Sequence, residues 1–392
     1  MSSNNTTRHI FMTVNIRHIL HTVWARLSLC IAAIVAMLCV LTSCADESDA
    51  DDGTRTVVLH FSTAKADATT ATTRASVSTE KDDAVKDLTV LIFDSNGDVI
   101  GSNYGSYTIE SSTSFSVSIK TRVAQGCTIY AFANVGTIIN PNYFYGLTTK
   151  SEIDSKVYTM QSNNELNTQT CLLMMGELDN FDTSTKSATT VSLQRLTSKF
   201  DITITAKNDA TNGSLPITID GYQLFNVPST TSLAQASTTV PTTYHDGDKV
   251  TLSGKTSSST ADATATLTAY LYGNPVGKNA NATEWTKRNK DNLPTTPNGK
   301  CTFLRVWAHT AVWSSYYDVY LGGNELKASG SPTYDYTDYT IYPNYHYTVN
   351  ITIQGSGAAE NGCRVNYQAN IMFNGATLNG WGKDVPIDKD MK

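Results

Sequence analysis

The sequence predicts an all-β protein, two tandem β-sandwiches behind an N-terminal export segment. Three observations point there. Tyr and Gly are plentiful (20 and 24 of 392 residues) while charged residues make up only 16%, and Tyr, Thr and other residues that suit a pleated surface dominate the apolar segments. Those segments are short and alternate at period two, as half-buried strands do. Gly-, Asn- and Asp-bearing turns separate them, and no stretch beyond one or two short connectors carries a helical period.

The export segment comes first. Arg8, Arg17 and Arg26 precede an apolar run, Leu27–Val40, and no acidic residue occurs before it. The run is shorter than the roughly 20 residues a membrane helix needs. A basic region followed by a short apolar core is the pattern of a secretory signal peptide. Leu41-Thr42-Ser43-Cys44 resembles the lipobox of bacterial lipoproteins, in which the Cys thiol is diacylated and becomes the new N-terminus. An ordinary secretory signal ending near a Cys is the alternative. The first reading makes residues 1–43 the signal, puts the lipidation at Cys44 and leaves 44–55 as an acidic tether carrying Asp46, Glu47, Asp49, Asp51 and Asp52. Such a run reads as a solvated tether or as a surface-export signal.

Removing three Arg and no acid takes the formal net charge from −6 to −9, which argues against nucleic acid as a partner. About 349 residues then remain, enough for two domains. Of seven Cys, Cys127, Cys171, Cys301 and Cys363 stay in the exported chain. Export permits disulfides, but the spacing matches neither a disulfide scaffold nor a CxxC metal site; buried thiols are expected.

The first sandwich is expected over 56–207. It opens on Thr56–Ser62, where Val57, Leu59 and Phe61 share one face. A linker over 63–86 follows, rich in Ala, Thr and charge without an apolar face. It holds Arg74-Ala75, a basic residue in a flexible segment, where proteolysis concentrates. Leu88–Phe93 reads as a strand covered on both faces. Asn96-Gly97 then makes a hairpin turn. Ser114–Ile119, Cys127–Val135, Cys171–Leu178 and Val191–Thr205 complete this half. The polar, Gly-bearing Asn208–Ser214 marks the boundary, and the second sandwich takes 208–392. Its strands are expected near Ile217, Leu267, Cys301–Thr310, Tyr316–Gly323 and Tyr345–Gly355. The last is Arg364–Asn374, where Val365, Tyr367, Ala369, Ile371 and Phe373 alternate with mostly polar neighbours.

Signals for catalysis are poor, and a non-enzymatic protein without metal or cofactor is expected. Gly254-Lys255-Thr256 lacks the earlier Gly of a phosphate loop. No GxSxG elbow is present, and His60, His245, His309 and His346 show no metal-ligand spacing. Asp94, Asn96 and Asp98 alternate like calcium-loop ligands, but Val99 stands where that loop needs Gly. The stretch Tyr334–Tyr347 holds six Tyr. These suit either an exposed binding surface or cross-strand packing on a sandwich face, and packing is favoured.

The lipobox at Cys44, the strand TVVLHFS, the TTRA site at Arg74, KDLTVLIFDSNGDVI, LQRLTSKFDITIT and YQLFNVPS together resemble the fimbrillin-like outer-membrane lipoproteins of type V pili. VYLGGN and YPNYHYTVNITIQG look closer to branches that include anchor or tip-like accessory proteins. The resemblance implies two tandem transthyretin-like β-sandwiches, an outer membrane anchor through acyl chains on Cys44, and a surface-exposed place in a fimbrium (pilus) serving cell adhesion. It also implies assembly by donor-strand exchange. An Arg-specific protease would cut at Arg74-Ala75, the first strand with Val57, Leu59 and Phe61 would leave, and a neighbouring subunit's C-terminal segment, within Arg364–Lys392, would fill the groove. The partners implied are other fimbrial subunits; a host protein or glycan is a further candidate. The alternative is an uncleaved, lipid-anchored adhesin or glycan-binding lipoprotein.

Burying Val57, Leu59 and Phe61 is worth about 1.5–3 kcal/mol each, as an upper bound. Together they rival the whole stability of a domain, about 5–15 kcal/mol. A subunit stripped of that strand would also expose unpaired sheet edges and demand a replacement.

Overall fold

In a computed structural model the protein is described over residues 53–62, 80–109, 114–209, 212–295, 297, 299–326, 333–356, 358–360, 363–365 and 383–391. The first sheet is assembled from β1 (Thr54–Ser62), β2 (Val85–Phe93), β3 (Val99–Ile109), β4 (Ser114–Arg122), β5 (Cys127–Ala133), β6 (Met174–Phe181), β7 (Ala188–Ser192) and β8 (Gln194–Arg195). Its spatial order is β7-β1-β4-β3-β2-β5-β6-β8. The strands at the two ends of that order, β7 and β8, are separated only by Leu193, so the sheet must fold back on itself. It folds where β3 and β4 cross. Those two strands share the single registered pair Gly101↔Thr121, and a Cβ on Gly101 would lie 2.7 Å from the Thr121 Cβ. The absence of a side chain there lets the two leaves diverge. Between them lies an apolar core of Val57, Leu59, Phe61, Val90, Ile92, Ile119, Ile129, Val191 and their neighbours.

The hairpin from β2 to β3 forms as its Asn-Gly predicts. Gly97 sits at φ 87°, and the Asp94 carboxylate accepts from the backbone N–H groups of Asn96 and Asp98 at 2.9 and 3.0 Å. That carboxylate therefore holds the turn.

The second half packs two four-stranded sheets face to face. One is built from β9 (Thr197–Ala206), β12 (Ala263–Tyr272), β15 (Tyr345–Ile353) and β18 (Lys383–Met391), and the other from β10 (Thr218–Phe225), β11 (Val250–Thr251), β13 (Phe303–His309) and β14 (Ser314–Tyr320). Their orders are β12-β9-β15-β18 and β11-β10-β13-β14. Alternate residues of both, among them Ile202, Ile204, Leu304, Val306, Val349 and Ile351, are at most 1% exposed and make one core. The protein is all-β with two tandem sandwiches, as expected.

Three expectations need correction. Thr197–Thr205, read as closing the first half, is hydrogen-bonded in the second: β9 runs antiparallel to β12 and parallel to β15. Alternation reveals a strand's inner face but not its partner. The turn after it, around Asn208–Ser214, thus connects two strands of one sandwich. The predicted linker over 63–86 also ends earlier than expected, because residues 80–83 form a short helix, α1 (Glu80–Asp83), leading into β2. Finally, the charged tail after Trp381 contains β18, paired parallel to β15 with Tyr345↔Lys383 through Ile353↔Met391 in register.

Cys127, Cys171 and Cys301 are buried free thiols. Burial pushes the latter two up to about 11 and about 12, so neither is a ready nucleophile.

Candidate functional site

The candidate site is the slot that β1 fills. β1 is no edge strand. It pairs antiparallel with β4 along its whole length, Thr54↔Arg122 through Ser62↔Ser114, and parallel with β7 from Val58↔Ala188 to Ser62↔Ser192. Among the described residues it is the middle rib of a three-stranded leaf, and β7 has no other hydrogen-bonded neighbour in the sheet. The sequence alternation TVVLHFS explains the fit. Val57, Leu59 and Phe61 are fully buried, opposite Ile119, Val117 and Phe115 in register. The Phe61 ring stacks on Phe115 with centroids 5.3 Å apart. On the other face Thr56 and His60 are exposed, and His60 Nδ1 lies 2.7 Å from the Ser116 hydroxyl. Arg55 fixes the strand's beginning by donating to the Ser184 carbonyl at 2.8 Å.

Downstream of the linker the chain is secured separately. Asp82 and Asp83 of α1 are buried and meet cations from the boundary between the two cores. The Lys199 ammonium lies 2.8 Å from the Asp82 carboxylate and the Arg195 guanidinium 2.5 Å from that of Asp83. Arg195 Nε donates to the Asp82 carbonyl, the Tyr270 hydroxyl donates to the Asp82 carboxylate at 2.6 Å, and Arg195 Nη1 donates to Asn344 at 3.1 Å. Lys81 sits 4.2 Å over the Tyr270 ring, and burial lowers its ammonium to about 8. Around this cluster an apolar core joins the outer faces of β2 and β5 (Leu91, Phe93, Tyr130, Phe132) to Leu233, Tyr270 and Tyr272 of the second half.

Other expected site residues fall elsewhere. Cys44, Arg74, Ala75, Tyr367, Ala369, Ile371 and Phe373 lie outside the described residues. Val365 ends β17 (Cys363–Val365), which forms a small ladder with β16 (Ala358–Glu360) in which Val365 opposes Ala358. The Tyr-rich stretch packs inward: Tyr334, Tyr339 and Tyr347 are at most 2% exposed.

A family model described as the major fimbrial subunit protein (FimA) matches residues 56–244. Over that segment the chain is similar to fimbrillins. A second model, a domain of unknown function (DUF4906), matches residues 269–351. No curated protein matches by sequence. Among solved structures, a cell-adhesion candidate from Parabacteroides distasonis is 14% identical, aligned over 84% of this chain and 97% of that one with a TM-score of 0.54. A fimbrilin (FimA) from Porphyromonas gingivalis is 10% identical, aligned over 86% and 97% with a TM-score of 0.50. At such identities the likeness speaks to the fold.

In this chain the sequence reading missed the α1 clamp. EKDD fell within the expected linker over 63–86, and RLTSK within the strand expected over Val191–Thr205. The available signal was Arg195 and Lys199 standing among Leu193, Leu196 and Phe200, two cations in an apolar run that need buried acids. The slot itself can hold a strand by backbone hydrogen bonds and alternating apolar pockets.

Proposed function

We propose that the protein is a structural subunit of a cell-surface type V fimbria, assembling by donor-strand exchange and held at the outer membrane, before cleavage, by acyl chains on Cys44. The observation that carries this reading is the central position of β1, a strand whose loss would remove one face of the core, strip β7 of its partner and leave β4 only its single pair with β3. It is the first strand of the described residues, and residues 63–79 separate it from the clamp. A cut at Arg74-Ala75 would free the strand while Asp82 and Asp83 kept the new N-terminal region seated. A replacement must run antiparallel to β4 and parallel to β7, with apolar residues at every second position. The segment Arg364–Asn374 supplies five of them, Val365, Tyr367, Ala369, Ile371 and Phe373. We take the two sandwiches as the two domains, the first ending near Arg195, with adhesion the role of the assembled structure and no catalysis involved. The alternative of an uncleaved adhesin keeps β1 permanently in its slot.

N-terminal sequencing of the protein recovered from assembled fimbriae separates the two. The exchange reading predicts Ala75 as the first residue. Fimbriae made only of chains beginning at an acylated Cys44 would contradict it.

A further inference from the structure

The outer face of the sheet containing β13 carries a group of side chains that strand exchange does not use. On β13, Leu304, Val306 and Ala308 are fully buried in the core, so Arg305, Trp307 and His309 face the other way and are half-buried. A water-facing row of an antiparallel sheet is ordinarily polar, yet here Trp307 lies in register with Tyr316 on β14. Polar pairs flank this aromatic pair on both sides along the strands. On one side Arg305 makes a two-pronged bond to Asp318 at 2.6 and 2.7 Å and lies 4.2 Å over the Tyr316 ring. On the other, His309 Nδ1 is 2.7 Å from the Asp220 carboxylate.

The third strand shapes the site. Gly221 stands opposite Trp307 on β10, and a Cβ there would meet the Val250 carbonyl oxygen at 2.1 Å. The missing side chain lets β11 come in close, and the adjacent Lys249 ammonium lies 4.3 Å over the Trp307 ring.

We propose that this face binds a neutral glycan, which packs on the sides of Trp307 and Tyr316 that Lys249 and Arg305 leave uncovered. The two aromatic residues sit on neighbouring strands, about 5 Å apart at their Cβ atoms, a span suited to the apolar C–H face of a pyranose. Each flanking pair holds donors and acceptors in fixed positions, which is what adjacent sugar hydroxyls require. With His counted neutral, the formal charges of Arg305, Lys249, Asp318 and Asp220 sum to zero over the face, and the chain is net negative, so anionic polymers are disfavoured. A dry protein interface would have to desolvate Arg305, Asp318, Asp220 and Lys249 together, at a cost that wet sugar hydroxyls avoid. Glycan binding here is independent of the strand-exchange reading.

The test uses the full folded chain, titrated by calorimetry and by tryptophan fluorescence with cellohexaose, xylohexaose, mannohexaose, maltohexaose and neutral mucin-core oligosaccharides. Binding to at least one is expected, weakened roughly tenfold or more by Trp307→Ala and by Tyr316→Ala. Arg305→Met, which keeps the stem and loses the fork, is expected to weaken binding as well, and unchanged thermal midpoints show that the variants fold. If Trp307→Ala fails to fold, protection of the wild-type tryptophans from acrylamide quenching by the bound sugar is the readout. No binding at millimolar sugar, equal binding by the folded variants, or binding only to an anionic polymer such as heparin would each overturn the proposal. So would a Trp307-dependent dimer in sedimentation velocity without sugar, which would make the face an interface between copies.

Discussion

Leu59→Asp in the intact chain is expected to destabilise the first sandwich by about 4 kcal/mol or more, enough to unfold it in mild urea. Leu59 is fully buried in the middle of β1, opposite Val117. Truncation of such a Leu alone costs about 2–5 kcal/mol, and a carboxylate there must also be desolvated or protonated. The damage should not stay local, because β7 loses the strand it is bonded to. Amide exchange at Val191 should therefore accelerate along with that at Val117. Thr56→Asp, an exposed position on the same strand, serves as the control and should shift stability by no more than about 0.5 kcal/mol. Equal effects at the two positions would mean that β1 contributes little to the core.

Arg288→Met should produce a second large loss, in the other sandwich. Arg288 is 1% exposed, and no carboxylate is among the groups its guanidinium bonds. It donates instead to five backbone carbonyls: Nε to Tyr320 at 3.2 Å, Nη2 to Leu321 and Gly322 at 3.1 Å each, and Nη1 to Tyr336 and Asp338 at 2.8 and 2.6 Å. The guanidinium carbon lies 4.1 Å from the centre of the Tyr339 ring. Five donors thus meet five acceptors drawn from two separate segments, residues 320–322 and 336–338, which this one side chain ties together. Met fills much of the volume but removes all five donors; Gly322 keeps the bond from the Tyr334 hydroxyl, and each buried carbonyl left without a donor costs about 1–3 kcal/mol. A total of at least about 4 kcal/mol is expected in urea unfolding, with only partial rescue by Lys, which cannot present the planar fork. A loss below about 1 kcal/mol would show that water satisfies those carbonyls once the guanidinium is gone.

These two sites differ in how far the sequence reveals them. Val57, Leu59 and Phe61 were legible because alternation is a property of the strand itself, independent of its neighbours. The same holds for Leu304, Val306 and Ala308 on β13. Pairing is not local, and β9 shows the limit: its inner face was readable, while its membership of the second sandwich depends on β12 and β15, some 60 and 150 residues away. Buried charge was the other blind spot. Asp82, Asp83 and Arg288 lie in segments, EKDD and KRNKD, that read as solvent-facing because their partners are remote. β18 was missed for a related reason, since KDVPIDKDM holds a Pro and five charged residues, Lys383, Asp384, Asp388, Lys389 and Asp390, alongside only a few apolar ones. The Tyr-rich stretch was read towards packing, and of its buried members Tyr334 and Tyr339 pack around Arg288 while Tyr347 stacks on Phe200.

The most direct measurement of the central claim, that β1 is a replaceable strand, uses the folded chain cut after Arg74 and chased with an excess of labelled synthetic peptide. If the slot can be vacated and refilled, the peptide Arg364–Asn374 will displace residues 54–62, co-migrate with the cut chain and restore its thermal midpoint. A scrambled peptide and the uncut chain will do neither. A cut chain that keeps its own first strand against every peptide, or that loses it without any change in stability, would contradict the account.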